Sequence, residues 1–183
     1  MNKSKKFMNV IANQGGVSYE VPAYANAGGS GDRESSITVD VDEHATTFWR
    51  SFGTSGTLRQ DTVDGNIGVT IDYVNNALAV ANRWIEFDFV TKRLITEVKF
   101  YVNTAFADCG VWKWQGYNGS TWVDVGGSFT LGVTGVSSLI ETITTMSANT
   151  TGYTKYRMIG VSGNSTFNMY YWTEFEFKIG NLL

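Results

Sequence analysis

From Ile37 onward, apolar and polar residues alternate along the chain. Ile37, Val39 and Val41 alternate with Thr38, Asp40 and Asp42, and Ile85, Phe87 and Phe89 alternate with Glu86 and Asp88. A period of two places successive side chains on opposite faces of a sheet, so these segments predict strands with one buried face. Residues 95–102 repeat the pattern, as do Val111–Tyr117, 122–125, 156–161 and 172–179, giving roughly eight or nine strands in all. Residues 136–146 suit a short helix by length, but their Ile and Thr content favours a strand. Turn-forming residues separate the strands: Asp64-Gly65-Asn66, Asn75-Asn76, Asn118-Gly119, Gly126-Gly127 and Ser162-Gly163-Asn164. Asn118-Gly119 predicts a tight hairpin. The expected core of the resulting antiparallel sandwich contains Ile85, Phe87, Phe89, Val98, Phe100, Trp122, Ile159, Phe175 and Phe177.

Residues 1–36 break this pattern. Gln14-Gly15-Gly16, Gly28-Gly29-Ser30-Gly31 and Asp32-Arg33-Glu34 offer little to a core. Phe7, Val10 and Ile11 have the spacing of a short helix, which is marginal unless it docks on a surface. Polar, Gly-rich ends order only when tied down, so residues 1–36 read as an extended N-terminal arm that anchors the chain to an assembly. Residues 37–183 then form the sandwich. Lys3, Lys5 and Lys6 precede Phe7, Met8, Val10 and Ile11, but Asn9 and Asn13 cut the apolar run too short for a secretory signal. No stretch approaches the roughly 18 apolar residues of a membrane-spanning helix, so membrane insertion is not expected.

A chain of 183 residues is sized for one domain plus appendages. Charged residues make up only 17%, aromatics reach 14%, and there are 20 Gly to 1 Pro, a profile that excludes disorder and suits a sandwich or barrel. The net charge is −3 and no block of like charges occurs, which excludes a polyanion-binding tail and makes nucleic acid an unexpected partner. Cys109 is the single cysteine and His44 the single histidine, so no disulfide framework or Cys/His zinc site can form within the chain.

Several stretches resemble the discoidin, or coagulation factor 5/8 type C, domains, a branch of the galactose-binding-like jelly rolls that includes many carbohydrate-binding modules. Arg83-Trp84-Ile85-Glu86-Phe87-Asp88-Phe89, followed by Ile95-Thr96-Glu97-Val98-Lys99-Phe100, is similar to the family's strand pair in which an Asp closes the first strand. Trp112-Lys113-Trp114-Gln115-Gly116-Tyr117-Asn118-Gly119-Ser120-Thr121-Trp122 resembles its hairpin ending in a Trp. Residues 153–157, Gly160-Val161-Ser162-Gly163 and Trp172-Thr173-Glu174-Phe175-Glu176-Phe177 resemble its last two strands. The likeness covers roughly residues 83–179. The family's early Asp-Gly, Thr and Trp signature can be placed in two ways. Asp42, Thr47, Trp49 and Ser51 keep the spacing with Glu43 in the Gly position, while Asp64-Gly65-Asn66 keeps the dipeptide without the Thr and Trp. The same motifs resemble domains of bacteriophage virion proteins. The resemblance implies an all-β, antiparallel jelly-roll β-sandwich in a non-enzymatic virion structural protein, a capsid decoration or tail-associated subunit. Such a protein would assemble as a homo-oligomer with other virion subunits through residues 1–36, be made in the host cytoplasm, and meet glycans or a host surface. The alternative is an extracellular bacterial carbohydrate-binding module of a glycan-degrading system. No cofactor is required, but the family's structural calcium site makes Asp42, Asp64 and Glu176 candidate ligands, given that calcium takes about six to eight oxygens.

Catalytic chemistry has little to stand on. Glu174 and Glu176 lie two apart on one strand and suit paired acid–base work only in a cleft, so a solvated strand face is the plainer reading. His44 beside Glu43 reads as a polar loop histidine. The aromatics divide into two groups. Trp84, Trp114, Trp122, Phe87, Phe100, Phe175 and Phe177 lie in strands and suit a core. Tyr117, Phe106, Phe167, Met169, Tyr170 and Tyr171 lie at loop tips, where they suit either sugar stacking or contact with a neighbouring subunit. Tyr117, Asn118, Asn164, Phe167, Asn168, Tyr170 and Tyr171 are therefore the candidate ligand-binding residues, the Asn amides serving hydroxyls as donors and acceptors.

Overall fold

A computed structural model describes residues 18–19, 37–41, 49–51, 63, 72–74, 79–102, 110–131, 140–146, 149–164 and 170–180. These hold eleven strands: β1 (Ser18–Tyr19), β2 (Thr38–Val41), β3 (Trp49–Ser51), β4 (Asp72–Val74), β5 (Trp84–Val102), β6 (Val111–Tyr117), β7 (Trp122–Asp124), β8 (Phe129–Thr130), β9 (Ile140–Thr145), β10 (Tyr153–Ser162) and β11 (Tyr170–Gly180). Every pairing among them is antiparallel. The curled sheet forms the two layers of an all-β antiparallel jelly-roll sandwich. Among the described residues no helix is long and apolar enough to cross a membrane.

The two alternating segments around Phe87 and Val98 are one strand of 19 residues. Its first half lies between β2 and β10, with Phe87 opposite Val39 and Tyr156. Its second half lies between β9 and β11, with Val98 opposite Thr144 and Phe177. Ile85, Phe87 and Phe89 are buried before the crossing, and Val98 after it. The consecutive buried pair Leu94 and Ile95 marks where the alternation changes phase as the strand passes from one layer to the other. An alternating sequence signals two sheet faces, but the switch of layer is carried only by this phase change.

Polar groups hold the crossing inside the core. The Tyr156 hydroxyl donates to the Arg93 carbonyl (2.7 Å) and accepts the Ile95 amide (3.2 Å). The buried Asn149 donates through Nδ2 to the Ile95 carbonyl (2.8 Å) and to the Tyr156 hydroxyl (3.2 Å). Around this point the apolar faces meet. The Phe87 ring lies 5.0 Å from Phe175, 4.8 Å from Phe177 and 6.1 Å from Trp114, and Phe89 meets Phe177 edge-on at 4.9 Å. Trp114 also donates its indole N–H to Thr144 Oγ1 (2.9 Å), joining β6 of one layer to β9 of the other.

The expected core is confirmed at Ile85, Phe87, Phe89, Val98, Phe175 and Phe177, all buried. The Phe100 side chain lies outside the described residues. Four expected positions are corrected. Trp84 and Trp122 are only half-buried, because both face outward on the layer that contains β6 and β10. Ile159 is also outward and half-buried, since Tyr156, Met158 and Gly160 take the core positions of β10. Gly160 is required there because a Cβ would collide with the Val80 carbonyl, and Val80 is itself fully buried. Glu174, expected on a solvated face, is fully buried. Within the stretch read as an arm, Ser18 and Tyr19 pair with Ile179 and Lys178 of β11, and the rest of residues 1–36 lies outside the described residues.

Truncating Phe87 or Phe177 to Ala is expected to cost about 3–5 kcal/mol in denaturant unfolding, since each ring sits in a packed aromatic cluster with little room to collapse. Tyr156→Phe leaves Arg93, Ile95 and Asn149 without their shared partner and is expected to cost about 1–3 kcal/mol. Burial pushes the Tyr156 hydroxyl above the ordinary tyrosine value, against opposing hydrogen bonds. The folded state therefore holds this proton more tightly than the unfolded chain, so stability falls as pH rises above about 10. Comparing melts across that range, the fall should be shallower in Tyr156→Phe.

Candidate functional site

The hairpin between β6 and β7 is built to be rigid. Asn118 Oδ1 accepts the amides of Ser120 (3.0 Å) and Thr121 (2.9 Å) and the Ser120 hydroxyl (3.0 Å), while Nδ2 donates to Thr121 Oγ1 (3.2 Å). Gly119 follows with φ of 102°, a conformation that side chains rarely adopt. This turn puts Tyr117 directly opposite Trp122, with their rings 5.2 Å apart and tilted by 49°.

Behind the ring pair lies a polar network on the outward face. The Arg157 guanidinium sits 4.3 Å over the Trp122 ring, a cation–π contact, and its Nε donates to Gln115 Oε1 (2.8 Å). Gln115 Nε2 donates to Asp124 Oδ1 (2.7 Å), and Lys113 Nζ donates to Asp124 Oδ2 (2.9 Å). The Gln115 and Lys113 hydrogen bonds hold the Asp124 carboxyl below its ordinary value. Burial lowers Arg157, partly offset by attraction to Glu86. Beside it, Lys155 Nζ contacts Glu86 Oε1 (2.9 Å) and Asp88 Oδ2 (3.3 Å), and the Glu86 hydrogen bond is the main force raising Lys155.

Two depressions flank Tyr117. One, of about 300 Å³ on the outward face, is lined by Glu86, Tyr117, Trp122 and Lys155. The other, of about 170 Å³ at the end of the sandwich, is lined by Lys92, Tyr117, Asn118, Thr151, Tyr153 and Thr154, among others. Gly116 shapes the second depression, because a Cβ there would strike the Tyr153 ring, which lies against β6.

Of the ligand residues expected from sequence, Tyr117 lines both depressions and Asn118 lines the end one, although the side chain of Asn118 is engaged by its own turn. Asn164 is exposed and bridges to Ala79 beyond the far end of β10. Tyr153, beside Tyr117, opens that ten-residue strand, so the two groups are roughly 30 Å apart along it. Among the described residues, Asn164 thus does not share a surface with the Tyr117 hairpin. Phe167 and Asn168 lie outside the described residues, as do Phe106, Met169, His44 and Glu43. Tyr170 and Tyr171 pair through their backbones with Val74 and Tyr73, and their side chains are not described. Glu86, Lys92, Trp122, Lys155 and Arg157 were not foreseen in this role. Parity could have located most of them: Lys113, Gln115 and Tyr117 put the polar face of β6 outward, and a residue paired with Tyr117 must share that face.

Glu176 does not suit calcium. Its carboxylate meets the Lys99 ammonium at 3.1 Å and the Tyr101 hydroxyl at 3.4 Å, so a dication there would be repelled by the lysine. Asp42 and Asp64 lie outside the described residues, among which no group of three or more His, Cys, Asp or Glu is arranged to hold a metal. Nor do Glu174 and Glu176 form a catalytic pair in a cleft, one being buried and the other ion-paired.

No protein-family model matches the chain, and neither does any curated protein. Solved structures do match. The family 32 carbohydrate-binding module of Clostridium perfringens NanJ, in complex with galactose, is 10% identical at a TM-score of 0.55, with 80% of this chain and 96% of that one covered. An F5/8 type C domain from Bacteroides fragilis gives 11% identity and a TM-score of 0.55 over 92% of this chain and 100% of that one. A family 32 module from Clostridium perfringens in complex with GalNAc-β-1,3-galactose gives 9% and 0.52 over 79% and 96%. The chain has the fold of these domains. At such identities the likeness concerns fold alone, and the jelly roll expected from the hairpin and strand motifs is confirmed.

Gly116→Ala is expected to destabilise the protein by roughly 1–3 kcal/mol, as an overpacked site does, and to displace Tyr153 from the end depression. Thermal unfolding together with tyrosine ring shifts in NMR spectra checks both effects.

Proposed function

We propose that this chain is a non-enzymatic glycan-binding jelly roll whose ligand lies against Tyr117. The observation that carries the reading is the pairing of an aromatic surface with a charged donor and acceptor in one open depression, Tyr117 and Trp122 beside Glu86 and Lys155. A sugar has an apolar C–H face and hydroxyls that both donate and accept. A ring meets the first, while a carboxylate and an ammonium meet the second. Because Arg157 covers one face of Trp122, Tyr117 is the ring that both depressions share. The fold adds support, as two of the similar solved modules hold galactose or GalNAc-β-1,3-galactose.

Binding without turnover suits the arrangement. Glycoside hydrolysis uses two carboxylates flanking the bond, about 5–10 Å apart. Glu86 and Asp88 instead share the Lys155 ammonium on one face of the sheet. Of the two settings weighed from sequence, the carbohydrate-binding module now has the better support, because the similar solved domains are of that kind. The virion subunit, its assembly through residues 1–36 and its homo-oligomeric state gain no support from the fold.

Tyr117→Ala is expected to weaken glycan binding roughly tenfold, the equivalent of a stacked ring worth about 1.5 kcal/mol. Asn164→Ala, at the other end of β10, should leave binding unchanged. Calorimetry with galactose-containing oligosaccharides checks both, and the reverse outcome would move the site to the loop after Gly163.

A further inference from the structure

The two depressions beside Tyr117 differ in charge. Five lysines have described side chains, and four are held by carboxylates: Lys99 by Glu176, Lys113 by Asp124, Lys155 by Glu86 and Asp88, and Lys178 by Glu97. Lys92 is the remaining one, exposed and without a carboxylate partner among the described residues. It lines the end depression, where the other described lining residues are tyrosines, threonines, Asn118 and glycines, with no acidic residue among the described ones. The outward depression, by contrast, holds the Glu86–Lys155 pair and is locally neutral. In a chain of net charge −3, the end of the sandwich beside Tyr117 therefore presents a small cationic pocket with hydroxyl donors at Thr151 and Thr154.

Resting on the glycan-binding reading above, we propose that the ligand is an acidic oligosaccharide. A neutral sugar lies on the outward side of Tyr117 against Glu86 and Lys155, and the adjoining sugar places an anionic substituent, a carboxylate or a sulfate ester, at Lys92. Tyr117 separates the two positions and contacts both sugars, so the minimum ligand is a disaccharide. The Lys92 ammonium offers three donors on a flexible stem and suits a carboxylate or sulfate at a solvent-exposed site. The Thr151 and Thr154 hydroxyls supply further donors to the anion's oxygens. Attraction at so exposed a position is modest and screened by salt, so the pocket sets preference among glycans more than overall affinity.

The test measures binding of the full chain to three matched oligosaccharides that share one neutral galactose-containing backbone: unsubstituted, carrying a uronic acid, and carrying a sulfate ester. The acidic ligands should bind about fivefold more tightly than the neutral one at low ionic strength, the size of an exposed ion pair, and the preference should shrink at high salt. Whichever acidic ligand binds more tightly identifies the source of the anion. Lys92→Gln should remove the preference while leaving the melting temperature as it was, and Lys92→Arg should retain it. Equal affinity of the wild type for all three ligands, or a preference that survives Lys92→Gln, overturns the assignment of Lys92 while leaving the Tyr117 site standing. Absence of binding to any of the three overturns both.

Discussion

The crossing of β5 from one layer to the other is the constraint on which the rest of the sandwich depends. Its two halves bring β10 and β11 to opposite faces of one core, so Phe87, Phe175 and Phe177 meet although Phe87 and Phe177 are far apart in the chain. A strand that leaves one sheet for another must find partners for backbone groups in transit, because an unpaired buried donor or acceptor costs as much as a lost hydrogen bond. Here a single hydroxyl serves both sides of the step, Tyr156 taking the Arg93 carbonyl and the Ile95 amide, with Asn149 completing the contact. Met146 donates its amide to the Thr96 carbonyl one residue further along (2.7 Å), so β9 is tied in at the same place.

The candidate site follows from that crossing. β10 begins at Tyr153, opposite Arg93, and its register against β5 shifts before Lys155. Lys92 thereby comes to the end of the sandwich beside Thr151 and Tyr153, while Lys155 falls on the outward face beside Glu86 and Asp88. The same shift separates the two lysines by environment, one facing carboxylates and one facing hydroxyls and rings. The β6–β7 hairpin then sets Tyr117 between them, fixed by the Asn118 turn and by Trp122 under Arg157. A site with these supports needs little ordering on binding, which reduces the entropic cost of recognition.

Much of this was legible in the sequence, with errors of specific kinds. Period-two alternation located β2, β6, β7, β10, β11 and both halves of β5, and Asn118-Gly119 located the hairpin, because those signals are local. The direction each strand faces was less secure where both parities carry apolar residues. In Met158-Ile159-Gly160-Val161 the core takes Met158 and Gly160, and the deciding factor is the close approach of the Val80 backbone from a distant segment. Trp122 was read as core because a Trp in a strand offers much apolar surface, yet an edge position paired with Tyr117 and capped by a guanidinium serves that surface equally well. Glu174 fails in the opposite sense, buried although charged, and alternation gives no hint of it. The site itself was half legible: a hairpin tyrosine is a local feature, whereas its grouping with Glu86, Lys92 and Lys155 depends on the register of three strands.

The location of the site also bears on how strongly it can bind. Both depressions are open, and the larger one presents its charged pair already satisfied, so under the proposed function a sugar hydroxyl would compete with the Glu86–Lys155 contact as well as with water. Replacing one hydrogen bond by another of similar strength yields little net free energy, which under that proposal would leave the Tyr117 ring as the main source of affinity and the charges as the source of orientation. On the glycan-binding reading proposed above, a single copy would hold its ligand weakly, and effective retention on a surface would require several sites acting together at a spacing that their attachment allows. Weak, oriented contact would suit an all-β scaffold in which Trp122 lies under Arg157, itself bonded to Gln115, and the Asn118 turn fixes the Tyr117 hairpin.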